Sequence, residues 1–165
     1  MLPSSDISMG LHAASAADSG APYMVLALGP AVAARVVVRP ESQPRFGAFV
    51  GAAYRYMTYN KAEYYGRPWA NEIDVVLGVS WTFGATVQHG PEASLGYFTS
   101  FVSQPDAYLG PRSRTFHGLT MGLGYSVTIT SPFSVVWGVG TVVGHKDARG
   151  PLSFGHVGLR FRFWS

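Results

Sequence analysis

The stretch Phe154-Gly155-His156-Val157-Gly158-Leu159-Arg160-Phe161-Arg162-Phe163-Trp164-Ser165 decides the fold class. From Val157 the apolar side chains fall on every second position (Val157, Leu159, Phe161, Phe163), with Gly158, Arg160 and Arg162 between them. That is the period of a strand with one greasy and one charged face. Working back from it, the same alternation sets Ile73, Val75, Leu77, Val79, Trp81 and Phe83 against Glu72, Asp74, Val76, Gly78, Ser80 and Thr82. It sets Leu119, Met121, Leu123, Tyr125, Val127 and Ile129 against glycines, serines and threonines, and Val135, Trp137, Val139, Thr141 and Val143 against Val136, Gly138, Gly140, Val142 and Gly144. Segments at Ile7 to Ala14, Tyr23 to Arg39 and Phe46 to Tyr56, and one between Thr86 and Val102 marked by Leu95, Tyr97, Thr99 and Phe101, complete eight strands. Pro30 interrupts the second, so a bulge or irregularity is expected there.

Composition agrees. In 165 residues, one domain over 1–165 is the expectation; charged residues are 13%, aromatics 14%, and there are 20 glycines. A usual soluble chain carries about a quarter charged residues, so this balance suits a sheet with one face in lipid. There is no cysteine, hence no disulfide or thiolate metal site. The 12 Lys and Arg are scattered, which argues against nucleic acid as a partner. No run approaches the roughly 18 apolar residues of a membrane helix, so a membrane location requires a closed barrel. The first twenty residues show no leader, and an exported chain would have lost its signal peptide.

The connections alternate in length: longer at about 15 to 22, 59 to 71, 103 to 114 and 145 to 151, shorter at 39 to 45, 84 to 86 and 131 to 133. An eight-stranded barrel interior has room for side chains and little else. Gly, Ala, Ser and Thr with a few charges fit inside, and Leu, Val, Phe, Trp and Tyr must face out, with Tyr54, Tyr56, Trp81, Phe83, Tyr97 and Tyr125 placed for aromatic girdles. The expectation is all-β, an eight-stranded antiparallel up-and-down transmembrane β-barrel. The competing architecture is a soluble lipocalin-like or avidin-like barrel with an apolar interior.

The inward set contains His12, Arg35, Arg39, Arg55, Glu72, Asp74, His156, Arg160 and Arg162. A charge in a narrow lumen needs a partner, because unpaired burial costs several kcal/mol. Glu72 and Asp74 are therefore expected to pair with Arg55 on the neighbouring strand or with Arg160 and Arg162 across the interior. Such pairs plug the barrel; a gated ion path is the alternative. Gly122-Leu123-Gly124 and Gly138-Val139-Gly140 have no following helix and are not phosphate loops. At the rim, a hairpin in which opposite residue numbers sum to about 264 would bring His117 near Asp147 and Leu119 near His145. With a hydroxyl from Thr115 or Ser100, a histidine and a carboxylate are what acyl hydrolysis needs.

The order polar, any, Gly, any, any, aromatic, any, aromatic, filled by His156, Gly158, Phe161 and Phe163, resembles the closing-strand assembly signal of Gram-negative outer-membrane barrels, although Phe163 is third from the end. The whole chain resembles the small eight-stranded outer-membrane barrels of the OmpA/OmpX type. That resemblance implies a non-enzymatic integral outer-membrane protein, delivered by the barrel assembly machinery; with no zinc spacing or phosphate-loop pattern in the sequence, neither metal nor cofactor is expected. Its external loops would contact lipopolysaccharide, a host surface or a protein partner. Tyr64, Tyr65 and Trp69 are the recognition candidates it suggests, with an extension of the aromatic girdle as the alternative role. The rim histidines are similar in placement to those of the outer-membrane lipid A deacylase, whose His-any-Ser motif is here His145-Lys146-Asp147. A lipid A or phospholipid acyl hydrolase is therefore the alternative function, and a barrel subunit of a larger envelope complex is another.

Overall fold

The computed structural model describes residues 2–17, 24–59, 69–104, 112–143 and 152–164. They form eight strands: β1 (Leu2–Ala17), β2 (Met24–Arg39), β3 (Phe46–Tyr59), β4 (Trp69–Trp81), β5 (His89–Gln104), β6 (Arg112–Thr130), β7 (Phe133–Val143) and β8 (Leu152–Trp164). Each pairs antiparallel with the next, and β8 pairs with β1 to close the barrel. Following partners once around, Asp6 leads to Arg35, Gly51, Val76, Gly96, Thr120, Val142, Leu152 and back to Ala16, ten residues further along β1. With a rise of ~3.3 Å and a strand spacing of ~4.8 Å, that stagger tilts the strands by about 40°.

The two faces are sorted as the alternation requires. Leu77 and Leu123 on the outer wall are 65% and 67% exposed, whereas Asp6, Glu72, Asp74 and Arg160 are buried in the interior. This excludes the lipocalin-like alternative, whose large apolar residues would converge on the axis. Trp69 and Trp81 stand at the two ends of β4, twelve residues apart on the outside. At the same rise and tilt they lie about 30 Å apart along the axis, close to the thickness of a bilayer's hydrocarbon core.

Several boundaries differ from the sequence reading. Strand β4 begins at Trp69, β5 runs to Gln104 and β6 starts at Arg112, so two of the long connections shrink to 60–68 and 105–111. Backbone pairing continues past the point where apolar alternation stops, because the ladder needs no apolar side chain. Below β4 the reversal is not confined to 84–86: Phe83 bridges His89, and Gly84 adopts a φ of 83°. At Pro30 the β2–β3 ladder lapses between Leu28 and Ala31 and resumes in the same register, an interruption without an inserted residue, since proline has no N–H to give. Around Ser131-Pro132, Thr130 pairs with Phe133 and the register shifts between Thr128 and Thr130. Leu119 consequently faces Val143, two residues from the expected His145, with the side-chain parity unchanged.

Candidate functional site

The lumen is layered. Toward the short-turn end, five charged side chains from four strands form one chain of ion pairs. Arg162 donates from Nε to Asp6 Oδ1 (3.2 Å), and Arg35 Nε donates to Asp6 Oδ2 (2.9 Å). The Arg35 guanidinium then reaches across to both oxygens of Glu92 (2.8 and 3.1 Å), which also accept both terminal nitrogens of Arg160. Two bidentate guanidinium contacts on one carboxylate fix its position from opposite sides. The Arg35 guanidinium lies 4.7 Å from the centre of the Phe49 ring, and Arg39 donates to the Ser4 hydroxyl (3.1 Å).

Above this layer is an internal cavity of about 170 Å³, lined by small residues such as Ser8, Gly10, Ala33, Ser94 and Gly158, with His156 opening onto it. Its far side is a second polar layer. Arg55 Nη2 donates to Asp74 Oδ2 (2.9 Å) and Arg55 Nη1 lies 3.9 Å from Glu72 Oε2, while the Thr120 hydroxyl donates to Asp74 Oδ1 (3.0 Å). The Phe154 ring sits between the Arg55 guanidinium (5.5 Å) and the His12 ring (5.1 Å). Beyond them Ala14, Ala27, Met57 and Ala70 make a buried apolar cluster, joined by Val102 and Phe154. Glycines give the rings room: a Cβ on Gly138 would meet the His156 ring at 2.6 Å, and one on Gly140 would strike Phe154.

The sequence candidates distribute as follows. Arg55, Glu72 and Asp74 come together, but Arg160 and Arg162 do not reach Glu72 or Asp74. They lie lower on β8, where Glu92 and Asp6 engage them. Both of these acids were absent from the sequence-derived set. Asp6 precedes the apolar alternation, and Glu92 follows Gly90-Pro91, which masks the strand period. Within the closing strand, His156 and Gly158 face the lumen and Phe161 and Phe163 the outside, their rings 4.5 Å apart. Trp69 belongs to β4 and not to a loop, stacked on Tyr56 on the outer wall (6.0 Å), because the ladder starts before Asn71. Tyr64, Tyr65, His145 and Asp147 lie outside the described residues. His117 is exposed on the outer face, stacked on Tyr97 (5.9 Å), with Nδ1 3.2 Å from the Thr99 hydroxyl. Ser100 cannot serve it, since it is buried on the lumen side of the same sheet. Among the described residues no cluster of three or more His, Asp or Glu could hold a metal.

A closed eight-stranded barrel with apolar side chains outside and ion pairs inside has the fold of the small outer-membrane β-barrels. No family model and no curated protein matches the sequence. Solved structures do match the fold. Ail of Yersinia pestis, in complex with the heparin analogue sucrose octasulfate, superposes with a TM-score of 0.66 at 16% identity, covering 99% of this chain and 100% of that one. Neisserial surface protein A gives 0.60 at 14% identity over 96% and 97%. The outer membrane protein OprG of Pseudomonas aeruginosa gives 0.51 at 12% identity over 99% and 97%.

Proposed function

We propose that this chain is an integral outer-membrane barrel with a plugged lumen, acting as a structural or surface-interaction protein through the connections at its long-loop end. The observation that carries the reading is the inverted polarity: an apolar wall about 30 Å tall around an interior of paired charges. Water would penalise such a wall and hydrocarbon would not. The ion pairs across the lumen and the apolar cluster above them support the plug, on which the barrel serves as a rigid mount.

Function then falls to the exposed connections, as it does on rigid scaffolds generally. At that end the sequence supplies Lys61, Arg67, Arg112, Arg114, Lys146 and Arg149 against Asp18, Glu63, Asp106 and Asp147, together with Tyr64 and Tyr65. A surplus of bases together with tyrosines in these stretches of sequence suits an anionic saccharide, either the phosphorylated sugars of lipopolysaccharide or a sulfated glycan, and Ail is seen in complex with a ligand of the latter kind.

The test is the protein refolded into bilayers with and without lipopolysaccharide, titrated with sucrose octasulfate. Saturable binding weakened by Tyr64→Ala with Tyr65→Ala, and no conductance steps in a planar bilayer, are expected. Steady conductance by the wild type would remove the plug. Absence of binding to either ligand would remove the anionic-saccharide reading.

A further inference from the structure

The short turns differ sharply in chemistry. Residues 40–45 contain Glu41 and Arg45 beside Ser42 and Gln43, a polar and exposed set. Residues 82–88 and 129–133 contain no charged side chain at all. They expose Phe83, Val87 (51%), Ile129 (64%) and Phe133. These two turns form one surface. The Thr128 N–H donates to the Gln88 carbonyl (2.7 Å), and the Arg162 N–H donates to the Pro132 carbonyl (3.1 Å), which joins them to the end of β8 and the exposed Phe163.

The patch is continuous with the apolar wall. Phe83 packs between Trp81 (6.4 Å) and His89 (6.0 Å), and Phe133 against Phe161 (5.0 Å). Beside it, His89 Nδ1 and the Tyr125 hydroxyl are 2.6 Å apart, so two polar groups of the outer face satisfy one another without water. Such self-satisfaction is what polar atoms need where water is scarce.

We propose that the β4–β5 and β6–β7 turns are embedded in lipid, at the boundary of acyl chains and glycerol in the leaflet on the short-turn side. The apolar belt thus reaches lower under β4–β8 than under β1–β3, and the turn at 40–45 stands in water. The proposal rests on the reading of the chain as a membrane barrel. A lipid surface fits because the patch extends the apolar wall and carries no charged side chain that would select a protein partner.

The chain has no cysteine, so single substitutions report directly. Ser42→Cys, Val87→Cys, Ile129→Cys and the mid-wall control Leu123→Cys are reconstituted in phospholipid nanodiscs, both faces open, and reacted with a charged maleimide read by mass spectrometry. A thiol buried in apolar surroundings is inert, so Val87→Cys and Ile129→Cys should label at least about tenfold more slowly than Ser42→Cys. In urea all four should label alike. Equal rates at 42, 87 and 129 with Leu123→Cys still protected would overturn the inference and leave the membrane barrel intact, as for turns that face water or a periplasmic protein. Rapid labelling of Leu123→Cys would overturn the membrane reading itself.

Discussion

Toward the short turns the lumen is crossed by Arg162, Asp6, Arg35, Glu92 and Arg160; toward the long connections it is filled by Ala14, Ala27, Met57 and Ala70. The first region is held by geometry. Each carboxylate there is held by two guanidiniums, and removing one member strands the others. The second is held by volume, with one fully buried methionine among alanines. Burying ions costs desolvation that their attraction only roughly repays, so the ionic layer's worth lies in how much is lost when it is broken. The apolar layer's worth is the contact it makes.

The comparison can be broken from either side. The largest effect is expected for Glu92→Leu, which takes the carboxylate from between Arg35 and Arg160 and leaves Asp6 as the anion beside Arg35. About 3 to 5 kcal/mol should be lost in urea unfolding from lipid vesicles. Met57→Ala should cost about 2 to 5 kcal/mol, toward the lower figure if Ala14 and Ala70 close in. Since the two layers are separated by the cavity, the double variant should lose the sum to within ~0.5 kcal/mol. Marked non-additivity would show that they act as one plug. Outside the lumen, Leu123→Arg should cost about 2 to 4 kcal/mol if it meets hydrocarbon. The smallest effect is expected for Tyr54→Phe, which removes the exposed hydrogen bond to Asn71 (2.6 Å) and should cost about 1 kcal/mol or less.

The same two regions show what a sequence displays and what it hides. The barrel was legible because an apolar outer wall and a narrow polar lumen force side chains to alternate, and β4, β6 and β8 carry that signal along most of their length. Arg55, Glu72 and Asp74 were legible as inward charges on adjacent strands. Asp6 and Glu92 were not, one lying just before the apolar alternation that begins at Ile7 and the other behind a proline. Met57 was invisible for a different reason: it occupies the parity reserved for small and polar residues, and only the packed interior shows that a large apolar group is needed there. The rim histidines show the limit of register arithmetic. A bulge of one residue at a two-residue turn moved Leu119 from His145 to Val143.

An outer wall that faces hydrocarbon has a signature along β6. Spin labels placed singly along β6 from Leu119 to Leu123, in protein refolded into phospholipid bilayers, test it most directly through collision with oxygen, which concentrates in lipid, and with a water-soluble nickel complex. Oxygen accessibility peaking at 119, 121 and 123, with minima at 120 and 122 and little nickel collision throughout, is the expected result. High nickel accessibility at 119, 121 and 123 would contradict it.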